Sequence, residues 1–210
     1  MKSLLLKDIY NIRQNMKQML LILLFISACM FFNSSPSGVM VFVSVLFTMM
    51  TVTTFAIDEQ SHWEKYALIM PISRKTYVME KYMICLMFTL AGMVFGFIET
   101  FIYQLATHSL DAVFLGSCAF ISIMLGFVCG ILYIPILFRF GSEQARLIII
   151  GVIAFLGLVG YLIYWFFKAL SIPVTRQLLT AAGFLSPILL LLFAAISYLL
   201  SVRFFQAKEF

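Results

Sequence analysis

One acid stands inside a long apolar run: Glu99, four residues before Tyr103 in "AGMVFGFIETFIYQLATH" (residues 91–108). A charged side chain at the centre of a bilayer costs about 2.5–3.5 kcal/mol on insertion scales, so such residues mark ion paths, proton relays or substrate contacts. The second place where chemistry could gather is "DEQSHWEKYALIMPISRKTYVMEKY" (residues 58–82), which carries four of the nine acids of the whole chain between two stretches with almost no charge. Acids, bases and aromatics mixed at that density suit a recognition surface. The two histidines, His62 and His108, are too few and too far apart for a metal centre on their own.

These residues must be held by a scaffold, and composition says which kind. Of 210 residues, 63% are hydrophobic and 11% charged, whereas soluble domains are about half apolar and a quarter charged. The apolar residues come in runs of about 20, the length that spans a hydrocarbon core of about 30 Å. Six spans are expected, at about 17–33, 37–57, 82–107, 111–138, 146–168 and 181–203. Their continuity excludes alternating barrel strands, and a helix satisfies its own backbone in lipid. The fold class expected is an all-α integral membrane protein forming one transmembrane domain.

Lysine and arginine set its orientation. Twelve of the fourteen fall in the N-terminal flank, the 58–81 segment, the 139–146 turn and the tail, against only Lys168 and Arg176 on the other side. Both termini and the 58–81 segment are therefore expected in the cytoplasm of a bacterial plasma membrane. The net charge of +5 then reports topology and not a nucleic-acid partner. Cysteines 29, 85, 118 and 129 all fall within spans and read as small buried apolar residues.

"ISAC" (residues 26–29) resembles a lipoprotein cleavage site, but the apolar continuation "MFFN" argues for a span. Leu5, Ile9, Ile12 and Met16 recur at helical spacing, so residues 1–16 are expected to form an amphipathic interfacial helix, either a simple anchor or an elbow that braces the first span. Gly92 with Gly96 and Gly126 with Gly130 make GxxxG pairs that let helices approach closely. Glu99 and Tyr103 continue the Gly92 and Gly96 spacing. They are expected to face other helices about 25 Å along the span, at 1.5 Å per residue.

Several chemistries lack their residues. There is no GxxxxGK[ST] loop for nucleotide and no HExxH, and no serine, histidine and acid set converges in the apolar spans. An enzyme is not expected, and uphill transport would draw energy from an ion gradient or another polypeptide.

In the charged stretch, Ser61 and Glu64 form an S-x-x-E capping box, and Trp63, Tyr66, Ala67 and Met70 make an apolar stripe. Pro71 disfavours helix at Met70, and Ser73 can cap the next helix. A short helix over 61–70 is expected, and it needs a surface to bury its stripe. The bilayer and a partner protein are both open, and the acids favour the protein.

With its "PISRK" and the lysine-tyrosine pair entering the third span, this stretch resembles the cytoplasmic segment of bacterial ABC type-2 permeases. "RFGSEQARLI" (residues 139–148) is similar to their second inner loop. Within that class the chain most resembles the permease subunits of exporters of phenol-soluble modulins, which are amphipathic toxin peptides.

The resemblance implies an ABC exporter fold in which two separate ATPase copies, binding ATP and Mg, dock on the 61–70 coupling helix. A second permease copy, identical or paralogous, would complete the transporter. Trp63, Tyr66 and Met70 would be the buried contacts. Asp58, Glu59, Glu64, Arg74 and Lys75 would pair around them, with Glu143 and Arg146 as a second contact. Glu99 and Tyr103 are candidates for the substrate path. Alternatives from other classes are a small ion-coupled transporter or channel using Glu99, and a membrane sensor or immunity protein that binds a peptide without moving it.

Overall fold

The computed structural model describes residues 4–12, 21–22, 25, 36–63, 66, 73–108, 110–169 and 176–207. Their regular elements are all helices: α1 (residues 4–12), α2 (Pro36–Gln60), α3 (Arg74–Ala106), α4 (Ala112–Ala169) and α5 (Arg176–Ala207). Among the described residues, four helices are long and apolar enough to cross a membrane, over Gly38–Gln60, Arg74–Ala106, Ala112–Val152 and Leu185–Ala207. The expected first span, 17–33, lies almost wholly outside the described residues.

Local signals account for the helix ends. Ser73 is extended, and its hydroxyl accepts the amide of Thr76 at 3.2 Å, so α3 starts where the sequence places a cap. Asp111 caps α4 through Oδ1, which accepts the amides of Val113 and Phe114 at 2.9 and 3.2 Å. Inside α4, Gly141 adopts φ 76° and ψ 174°, a conformation open to glycine and costly for other residues. The turn expected over 139–146 therefore contracts to Gly141, because helix runs up to Phe140 and resumes at Ser142.

In lipid there is little hydrophobic force between helices, so small residues and polar bonds hold them together. A methyl on Gly92 would lie 2.7 Å from Phe47 Cβ and 2.8 Å from Ser44 Cα, and one on Gly96 2.9 Å from Met40 Cα. Gly126 packs on Thr89 and Ser44, and Gly130 on Cys85. Both GxxxG pairs thus form one seam where α2, α3 and α4 meet. Thr48 and Thr89 share a hydrogen bond of 3.0 Å within it, and Ser44 donates to the carbonyl of Ser122 at 3.1 Å. The buried face of α3 continues from Gly96 through Thr100 and Gln104. Glu99 and Tyr103 are half-buried on its flank, about a third of a turn from the stripe expected to contain them. Cys85 and Cys118 are buried free thiols and Cys129 is a half-buried one, while Cys29 lies outside the described residues.

The second seam joins α3, α4 and α5. Pro135 has no amide for the carbonyl of Ile131 one turn earlier. That carbonyl is satisfied by another helix: Ser197 of α5 donates to it at 2.6 Å. Tyr82 of α3 bonds the same serine at 2.6 Å and Ser201 at 2.9 Å, so one polar chain links three helices.

Ser197→Ala is expected to destabilise the protein by about 0.6–1.7 kcal/mol, the range of measured interhelical hydrogen bonds in membranes. Pro135→Ala restores an amide to Ile131 and should recover part of that loss. A double-mutant cycle of thermal unfolding in detergent measures both; strictly additive effects would remove the proposed compensation.

Candidate functional site: an ion network and a cleft at the charged end

Most of the charge gathers at one end of the bundle, around the last turn of α2. Tyr77 and Lys81 are four residues apart on α3, so their side chains share a face. Both reach Asp58: Oδ2 accepts from the Lys81 ammonium at 2.6 Å and from the Tyr77 hydroxyl at 3.1 Å. Lys81 donates also to Asp8 of α1 at 2.6 Å, and Lys7 donates to Asp58 Oδ1. The side chains of Asp8 and Lys81 are 0% exposed and that of Asp58 2%.

A buried ammonium survives only when paired, and Lys81 has two carboxylates. The rings of Phe55 and Tyr77 lie 5.2 and 5.6 Å from its nitrogen. Glu80, also buried, is 3.9 Å from Lys81, and its oxygens accept no hydrogen bond from the described residues. Burial pushes the Asp8 carboxyl up, but the Lys81 ammonium, then the neighbouring Glu80 carboxyl and the Lys7 ammonium, pull it below the ordinary carboxylate value of 3.8.

The next residue of α2 points elsewhere, since successive helical residues are about 100° apart. Glu59 Oε2 accepts the amide of Ser142 at 2.7 Å and also its hydroxyl. A methyl on Gly141 would lie 2.6 Å from Glu59 Oε1. Glu59 thus caps, from α2, the helix that resumes beyond Gly141. Beside this link is an open cleft of about 350 Å³, lined by Gln60, Phe140, Glu143 and Arg146 among others.

The structure redistributes the expected contact residues. Asp58 is removed from any surface role, because it is 1% exposed and bonded to α1 and α3. Glu59 is exposed, yet its carboxylate is engaged with Ser142. Ser61 closes α2, its hydroxyl donating to Ile57 O at 2.8 Å, and His62 follows at φ 51°; helix resumes at Trp63, and Tyr66 is helical as well, inside the segment expected over 61–70. Trp63 is half-buried against the core with Lys7 stacked 4.5 Å over its ring, whereas Tyr66 is 59% exposed. Glu64, Met70 and most of the helix expected over 61–70 lie outside the described residues.

Arg74 donates to the carbonyl of Gln206 at 2.8 Å, and Lys75 is exposed. Glu143 and Arg146 are exposed at the cleft. Glu99 is remote from this end, and its Oε2 is buried without a hydrogen-bond partner among the described residues.

Sequence reading missed Asp8, Tyr77, Glu80, Lys81 and Ser142 as members of the site. The available signal was Asp8, the one acid in a basic flank, and the i, i+4 spacing of Tyr77 and Lys81. α1 also differs from the expected stripe: Leu4, Asp8 and Ile12 face the bundle, while Leu6, Ile9 and Tyr10 are exposed.

Residues 3–206 match the family model described as "ABC-2 family transporter protein". The chain belongs to this family. No curated protein and no solved structure matches it. Membership makes the chain the permease of an ABC transporter, a multi-pass membrane component that works with an ABC ATPase.

Lys81→Met leaves two buried carboxylates short of a partner and is expected to cost about 3–5 kcal/mol, read as a lower unfolding midpoint and faster hydrogen exchange in α1. Asp8 is lowered in the folded state, so its contribution is present above its unfolded value and lost as pH falls through the folded one. Docking of α1 should therefore hold at neutral pH and weaken below about pH 4. Trp63 fluorescence in a Trp165→Phe background reports it; a pH response unchanged by Asp8→Asn would contradict the assignment.

Proposed function

We propose that this chain is the permease half of an ATP-driven exporter of amphipathic peptides. Its charged end lies in the cytoplasm, where two ABC ATPase copies dock and bind ATP and Mg. A second permease copy completes the path. The observation that carries this reading is the cleft between the end of α2 and the Gly141 corner, which brings Glu143 and Arg146 beside the start of the 61–81 segment. Two polar segments separated by about two spans thereby become one surface.

Family membership supports the ATPase as its occupant. Exposed Tyr66 supplies an aromatic anchor, and Glu143, Arg146 and Lys75 supply exposed charges. The cytoplasmic orientation rests on the bias of lysine and arginine toward this end. The peptide substrate rests on the resemblance of the 58–82 segment to the modulin exporters. Glu99 and Tyr103 are our candidates for its path, a reading supported by their being half-buried polar residues on the flank of α3.

Co-expression with an ABC ATPase tests the docking surface. Tyr66→Ala combined with Glu143→Lys and Arg146→Glu is expected to abolish co-purification while leaving the permease's unfolding midpoint unchanged. Undiminished co-purification would sink the assignment.

The Glu99 oxygen that has no partner among the described residues favours one other reading, an ion-coupled carrier. In liposomes, peptide efflux by the complex is expected to require ATP, and Glu99→Gln should slow it severalfold without loss of assembly. Transport by the permease alone, abolished by Glu99→Gln, would establish the carrier instead.

A further inference from the structure

A helix that resumes after a break exposes amides in its first turn that lack partners, and a side chain of its own sequence normally caps them. Here the cap comes from another helix. Glu59 Oε2 accepts both the amide and the hydroxyl of Ser142, and the glycine before that serine is held at φ 76° with no room for a methyl beside the carboxylate. Backbone continuity does not set the angle between the two halves of α4, because Gly141 is non-helical.

Ala145 and Ile149 keep the second half packed on the core. Among the described polar contacts, its entry point is defined by Glu59. That residue is next to Asp58, whose bonds fasten α2 to α1 and α3, and it immediately precedes Gln60 and the 61–72 segment. Among the described hydrogen bonds that attach α4 to other helices, the one from Glu59 lies nearest that segment in the chain.

We propose that Glu59 is a positioning residue for transport. Its carboxylate carries the displacement of the 61–72 segment to the start of the helix beyond Gly141 and so sets the angle across that glycine. The proposal rests on the reading that an ABC ATPase docks beside this segment. It adds a specific link: the nucleotide state is passed to the second half of α4 through one charge-assisted cap. Glu143 and Arg146, exposed on the same helix turn, remain on the docking surface.

The test places spin labels at Leu125 and Ile150, both exposed and on opposite sides of Gly141. Their distance distribution is measured by pulsed electron resonance in lipid nanodiscs. In the permease alone, Glu59→Ala is expected to broaden the distribution, and Gly141→Ala, which displaces the carboxylate, should do the same. Glu59→Gln keeps an acceptor, and since neutral hydrogen bonds are about half as strong as charge-assisted ones, it should fall between wild type and alanine.

In the ATPase complex, ATP with vanadate is expected to shift the wild-type distance, and Glu59→Ala should lose that shift while still co-purifying. A shift that persists in Glu59→Ala, or a wild-type complex that assembles and shows none, overturns the proposal. So does a distribution in the permease alone that Glu59→Ala leaves unchanged. Failure of the wild-type chain to bind an ATPase counts against the docking reading, and the measurement on the permease alone then still decides whether Glu59 sets the angle.

Discussion

The charged end of this protein depends on Lys81. An ammonium with no exposure to solvent is tolerated only where carboxylates replace its water, and Asp8 and Asp58 do so from two different helices at 2.6 Å each. The idealised cost of transferring such an ion to a low-dielectric interior is of order 20 kcal/mol, and even after relaxation it remains several. Each of the three groups therefore requires the other two. That mutual requirement fixes α1 against α2 and α3 more specifically than apolar contact could, since an apolar face slides and a paired charge does not.

Around this anchor the rest of the bundle follows the rules of a solvent without hydrogen bonds. The α2, α3 and α4 seam is made by glycines that admit neighbouring backbones, and by Ser44, Thr48 and Thr89, which bond across or along helices. The seam toward α5 is organised by the carbonyl that Pro135 leaves open and the Ser197 hydroxyl that closes it. At the charged end the same rule recurs with a full charge, where Glu59 satisfies the amide freed by the break at Gly141. The interruptions at Pro135 and Gly141 are thus matched by polar groups from neighbouring helices and specify which helices must be adjacent, whereas at Pro187 the freed carbonyl of Gly183 is bonded by Ser186 of the same helix.

Local features were legible in the sequence. Ser73 caps α3 as its place after Pro71 suggested, and both GxxxG pairs meet neighbouring helices, because caps and small-residue spacing act within a turn or two. The assignment of charges was not legible in the same way. Asp58 and Glu59 at the end of an apolar helix have the pattern of solvated side chains, yet Asp58 pairs with residues 23 and 51 positions away and Glu59 with one 83 away. Nothing in a linear pattern distinguishes a carboxylate awaiting a distant lysine from one facing water. The same limit holds on α3, where a difference of about 100° between adjacent positions decided that Thr100 and Gln104 continue the buried stripe while Glu99 and Tyr103 are half-buried on its flank.

The sequence by itself determined that the chain is helical and built for lipid, where charge concentrates, and which family's segment it resembles. These follow from composition, run length and short spacing, which are properties of the chain before it folds. Only the tertiary structure decided which charges are structural and which remain on the surface. It turned "DEQS" from the edge of a docking helix into the junction of α1, α2, α3 and α4. The physical reason is that the cost of burying a charge depends on its partners, and those partners are brought together only by the packing of helices far apart in the chain.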